Sequence, residues 1–201
     1  MRPTPVEASL DGRQLRIGVI ASRFNSLVTD RLLDGALAEL SRLGVPAEGI
    51  QVARVPGAFE LPVAALALAR SGQVDAVVCL GVVIRGETAH FEYVAQEAIR
   101  GIQEVALTTG IPCTLGVLTT ENLEQALDRA GGKAGNKGAE AAQAAVEMAN
   151  LLRRWQAPPA CRPGPAPATP PPGERRWPHR RLRSLRPAPG RPDPRGGSLS
   201  H

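Results

Sequence analysis

Four short runs rich in valine, isoleucine and leucine punctuate the chain: Leu15 to Ala21, Ile50 to Val55, Ala76 to Gly81 and Cys113 to Leu118. Such runs are the mark of strands buried on both faces. A stretch with helical periodicity follows each. Phe91, Val94, Ala95, Ala98, Ile102 and Val105 share one face of a helix that begins near His90, and Ala142, Ala145, Val146, Ala149 and Leu152 share one face of another from about Asn136 to Arg154. Leu33, Ala36, Leu37 and Leu40 predict a third helix, and Leu123, Ala126, Leu127 and Ala130 a fourth. Buried strands that each lead into a helix require a parallel sheet covered on both sides. The pattern therefore predicts a three-layer α/β/α sandwich on a four-stranded parallel sheet.

That architecture places ligands outside the carboxyl ends of the strands. The loops to read for chemistry are then Ser22 to Asn25, Pro56 to Glu60, Val82 to His90 and Thr119 to Asn122. Only six residues of the chain are aromatic, yet two of its three phenylalanines, Phe24 and Phe59, fall in these loops. Either they cap the core at the sheet edge, or a planar ring system stacks on one of them.

The third loop gathers Arg85, Gly86, Glu87, Thr88 and His90 just before the long helix. Gly86 frees the backbone for close approach to a ligand. His90 is the sole histidine of residues 1–155. It reads either as a surface residue at a helix start or, given its place at a strand end, as a carrier of protons near neutral pH. Asp128 to Gly138 holds three cations and four glycines in eleven residues, which suits either phosphate binding or a solvated turn. It is not a Walker loop, and no Gly-x-Gly-x-x-Gly follows the first strand. Without a cluster of His, Cys and Asp, neither a metal nor a redox cofactor is expected.

Composition divides the chain. Thirteen of the 19 prolines lie after Trp155, with nine arginines and two acidic residues. That segment carries +7 of a net +5, leaving −2 for residues 1–155. The basic character thus gives no reason to expect that the folded part binds nucleic acid. Residues 1–155 read as one domain, and residues 156–201 as a disordered tail that cannot bury enough surface to offset its ordering entropy. The tail is read as a basic arm or as a nonfunctional extension. No apolar run could span a membrane, and Met1 to Pro5 does not open a signal peptide, so the expectation is a cytoplasmic protein. Cys79, Cys113 and Cys161 lack metal-ligand spacing and read as buried free thiols rather than nucleophiles.

Taken in order, four motifs resemble the 6,7-dimethyl-8-ribityllumazine synthase family. They are Arg23 to Asn25, Val55 to Pro62, Gly81 to Phe91 and Lys133 to Gly138, within a similarity that spans about residues 10–155. The resemblance implies a flavodoxin-like fold and a cofactor-free condensation. In it, 5-amino-6-(D-ribitylamino)uracil joins 3,4-dihydroxy-2-butanone 4-phosphate, giving 6,7-dimethyl-8-ribityllumazine, phosphate and water. Position by position it implies that Phe24 stacks on the uracil ring and that Ala58, Phe59 and Glu60 line the pyrimidine and ribityl pocket. Val82, Val83 and Ile84 would offer backbone contacts, Glu87 and Thr88 would border the phosphate, and Arg129 would pair with it. Lys137 would assist electrostatically, and His90 would donate and accept protons.

Leu115, at the end of the fourth strand, stands where the family often has an aromatic residue. The resemblance also implies a homopentamer in which Leu115 and Arg129 reach into a neighbour's pocket. The segment around Val6 to Leu10 would add a strand to an adjacent subunit's sheet. Many members build an icosahedral shell from twelve such pentamers. The rival from another class is a noncatalytic shell-forming or flavin-binding protein of the same fold. A riboflavin synthase of related fold is the rival among enzymes.

Overall fold

In the computed structural model, the described residues are Pro3 and 5–156. Of the tail expected over 156–201, Gln156 belongs to a helix instead, and the rest, Cys161 included, lies outside the described residues. The first apolar run folds as β1 (Ile17–Ser22), and Asn25 then turns the chain into α1 (Ser26–Arg42). That helix ends where Gly44 adopts a φ of +83°, a conformation that L side chains rarely take. β2 (Ile50–Val55) follows, then a short 3₁₀ turn and α2 (Leu61–Arg70), which carries Pro62 in its first turn, where a missing N–H matters least. The longest strand, β3 (Ala76–Ile84), leads to α3 (His90–Thr109). β4 (Cys113–Thr120) leads to α4 (Leu123–Arg129), whose first turn is capped by Asn122 accepting from the Gln125 N–H at 2.9 Å.

All four strands are parallel, in the order β2-β1-β3-β4. Within the apolar runs, successive side chains separate to the two faces. Ile17, Val19, Ala21, Ala76, Val78 and Leu80 pack into a core with α1 and α5 (Lys137–Gln156). Ile20, Val77 and Cys79 pack into a second core with α2 and α3. The predicted three layers are therefore present.

Three expectations need correction. β2 is not buried. It is an edge strand whose central four residues are exposed, Val52 among them. Gln51 and Arg54, on that same strand, suit a surface rather than a core. Ala130 does not extend the fourth helix but opens a small antiparallel hairpin, β5 (Ala130–Gly132) with β6 (Gly135–Asn136). The cysteines are only partly as expected: Cys79 is buried, but Cys113 is half-buried. Burial pushes the Cys113 thiol up to about 11 and raises Cys79 further, so neither is a thiolate near neutral pH.

Two polar anchors close the fold. Asn136 accepts from the N–H groups of Gly138 and Ala139 at 2.9 and 3.2 Å, capping α5, while its own amide donates to the Arg31 carbonyl of α1 at 2.9 Å. Asp75, just ahead of β3, accepts from the Arg16 N–H at 2.7 Å and pairs with Arg153 of α5 at 3.0 Å. Burial alone would push its carboxyl up. The bonds from the Arg16 backbone and side chain and from Arg153 outweigh this and hold it below the ordinary carboxylate range. The chain before β1 runs along the end of α5, where Asn150 donates to the carbonyls of Ser9 and Asp11 at 2.8 and 3.0 Å. Among the described residues, no helix is long and apolar enough to cross a membrane.

Candidate active site

The strand order reverses direction between β1 and β3, and a cavity of about 320 Å³ opens over the carboxyl ends of β1, β2 and β3. Each strand contributes a wall. Phe24 and Asn25 come from the turn after β1, Gly57, Ala58 and Phe59 from the turn after β2, and Val82, Val83 and Ile84 from the end of β3 itself. Gly86 and Thr88 close the cavity from the β3–α3 loop, with His90, Phe91 and Val94 on the first turns of α3. The lining is mainly apolar with a few polar groups, the usual make-up of a small-molecule site.

The two phenylalanines do not cap the core. Phe24 is 69% and Phe59 60% exposed, and both face the cavity. A planar heterocycle could lie against such a ring, with its polar edge toward the backbone of Val82 to Ile84. Asn25 gives Phe24 its direction. Its φ of 58° lies in the left-handed region, which asparagine tolerates better than most residues. Its carbonyl accepts from Val28 and Thr29 to start α1. His90 is the first residue of α3 and is exposed to the cavity.

The cavity thus unites eight of the residues singled out in the sequence: Phe24, Ala58, Phe59, Val82, Val83, Ile84, Thr88 and His90. Five others do not line it. The Glu60 carboxylate is turned back onto its own turn, where it accepts from the Gly57 N–H at 2.9 Å. Glu87 is exposed on the loop beside Thr88. Leu115 is the third residue of β4, paired with Cys79, and so lies toward the amino end of the strand rather than at the end facing the cavity. Arg129 ends α4 with its guanidinium donating to the Gln125 carbonyl at 3.0 Å, and Lys137 pairs with Glu140 at 2.7 Å.

Gly86, expected to let a ligand approach the backbone, does line the cavity, whereas sequence reasoning gave no individual site role to Asn25, Gly57, Phe91 or Val94. Phe91 and Val94 carry the helical periodicity of core positions, which hides their second role as walls. Asn25 offered a signal in its residue type, since a left-handed turn after a strand favours Gly, Asn or Asp. No group of three or more His, Cys, Asp or Glu side chains among the described residues could hold a metal ion.

Residues 14–153 match the family model described as 6,7-dimethyl-8-ribityllumazine synthase. The chain belongs to that family. It is 51% identical over 154 residues to the 6,7-dimethyl-8-ribityllumazine synthase of Desulfatibacillum aliphaticivorans, an alignment covering 77% of this chain and 99% of the relative. It is 54% identical over 152 residues to that of Syntrophus aciditrophicus (strain SB), covering 76% and 99%. The protein is an enzyme of riboflavin biosynthesis, and the noncatalytic reading is not favoured.

Proposed function

We propose that the enzyme condenses 5-amino-6-(D-ribitylamino)uracil with 3,4-dihydroxy-2-butanone 4-phosphate in the cavity over β1, β2 and β3. The observation that carries the placement is the convergence of Phe24, Phe59 and His90 on one apolar cavity at the strand ends. The pyrimidine stacks on Phe24, and its amide edge meets the backbone of Val82 to Ile84. Ala58, Phe59 and Glu60 bound the pyrimidine and ribityl chain, with Glu60 exchanging its bond to Gly57 for a ribityl hydroxyl.

The pyrimidine's 5-amino group attacks the ketone, and water leaves to form an imine. Loss of a proton then allows phosphate to depart, and attack by the ribitylamino nitrogen closes the ring with loss of a second water. His90 takes and returns the protons of these steps. Thr88 and Glu87 border the departing phosphate.

Among the described residues, no lysine or arginine lines the cavity, although the second substrate carries a phosphate. A neighbouring subunit's Arg129 supplies the missing charge in a homopentamer, in which Leu115 also enters the neighbour's pocket and Lys137 adds a positive field. Twelve pentamers can close into an icosahedral shell. The outer edge of β2 accepts a neighbour's Val6 to Leu10 segment, whose Val6 and Leu10 are exposed here. The cytoplasm is the compartment, and no nucleic acid is needed as a partner.

Purified protein given both substrates should produce the lumazine, followed by its absorbance, with one phosphate released per turnover. A well-folded, assembled protein that makes no lumazine overturns this reading.

A further inference from the structure

Arg85 stands one residue beyond β3, at the root of the loop that carries Thr88 and His90. Its side chain does not line the cavity but engages three groups around it. Nε lies 2.7 Å from a Glu121 carboxylate oxygen, and a terminal nitrogen lies 3.1 Å from Glu92. The guanidinium carbon is 4.6 Å from the centroid of the Phe91 ring. The Arg85 N–H donates to the Thr120 carbonyl at 2.9 Å, so the root of the loop is also stitched to β4. Phe91 and Glu92 are the two residues that follow His90 in the first turn of α3, and Glu121 opens the loop after β4.

A planar fork with five donors can hold two carboxylates and a ring at once, which a single ammonium cannot. The side chains are partly exposed, and exposed pairs add little to stability. Their effect is geometric. Residues 85–89 have no helix or strand of their own, so the guanidinium is what ties both ends of this stretch to the neighbouring loop.

We infer that Arg85 is a positioning residue: held between Glu92, Glu121 and Phe91, it fixes where His90 stands over the cavity when protons are transferred. This rests on the reading of His90 given above. Because Val82 to Ile84 precede Arg85 on β3, pyrimidine binding does not depend on the clamp.

The test is steady-state kinetics on the assembled wild type, Arg85→Ala, Arg85→Lys, Glu121→Gln, His90→Ala and the double variant Arg85→Ala/His90→Ala. Arg85→Ala should lower kcat about 10-fold, the scale of loss when a catalytic group is slightly misplaced. The KM for the pyrimidine and the assembled state should stay unchanged. Arg85→Lys should fall between Arg85→Ala and the wild type, and Glu121→Gln should lose less than Arg85→Ala. Since Arg85 acts through His90, the double variant should be no slower than His90→Ala alone. If Arg85→Ala does not fold, Glu121→Gln and its double with His90→Ala carry the same comparison.

Fully additive losses, an unchanged kcat in Arg85→Ala beside a slow His90→Ala, or an equal loss of binding and turnover overturn the inference alone. An unimpaired His90→Ala overturns it together with the reading of His90.

Discussion

At the scale of single residues, the tasks proposed for the site are ones that kinetics can separate. His90 faces the cavity from the start of α3, so His90→Ala should lower kcat about 10²-fold or more, measured at saturating concentrations of both substrates. Arg129 is proposed to meet only the phosphate. Arg129→Ala should therefore raise the KM for the four-carbon phosphate far more than the KM for the pyrimidine, and equal effects would refute that role. Much of this was legible in the sequence. Phe24 and Phe59 stood out because a chain so poor in rings places two of them in strand-end loops, and His90 because it is the sole histidine of residues 1–155. Arg129 was visible only as one of the three cations of 128–138, and the roles proposed for it and for Leu115 in a neighbour's pocket come from resemblance alone. The contact of Arg85 with Glu121 was not legible at all: the two are 36 positions apart and meet only once β3 and β4 pair.

Among the elements, α5 is held by two devices that respond to different perturbations. Gly138, in its first turn, lies so close to α1 that an added Cβ would collide with the Leu32 carbonyl. Gly138→Ala should destabilise the protein by about 1–3 kcal/mol, seen in thermal unfolding, because neither backbone can move without parting the helices. At the other end, Arg153 of α5 and Arg16 share Asp75. The folded-state pKa of Asp75 is depressed, so its contribution is present above the unfolded carboxyl value and lost as pH falls through the folded one. Asp75→Asn should therefore cost about 1–2 kcal/mol near pH 7, and denaturant titrations should show the gap to wild type shrinking below about pH 4. The glycine-rich segment 128–138 invited a phosphate reading because Gly, Lys and Asn serve anion sites and turns alike. Its Asn136 caps α5 and anchors it to α1, a structural role that the pattern of cations and glycines does not show. β2 was misread for a related reason: Ile50, Val52 and Val55 suggest a core strand, and only Gln51 and Arg54 betray the edge.

For the whole molecule, the decisive question is whether a site is completed by a second copy. If Arg129 serves the neighbouring cavity, subunits carrying His90→Ala and subunits carrying Arg129→Ala should each be strongly impaired when assayed apart at a low concentration of the four-carbon phosphate. Unfolded together and reassembled, they should regain part of the activity, because some interfaces then pair an intact histidine with an intact arginine. Mixtures no more active than their components would place both residues in one chain's site. Removal of residues 157–201 should leave turnover and the number of subunits in the assembly unchanged. The exposed β2 has a bearing on how such an assembly is reached. No strand lies beyond it among the described residues, so a newly folded copy presents a row of backbone donors and acceptors that any extended peptide can occupy. Refolding is then a contest for that row between correctly folded partners and chains still unfolded, and the yield of active enzyme depends on which arrives first.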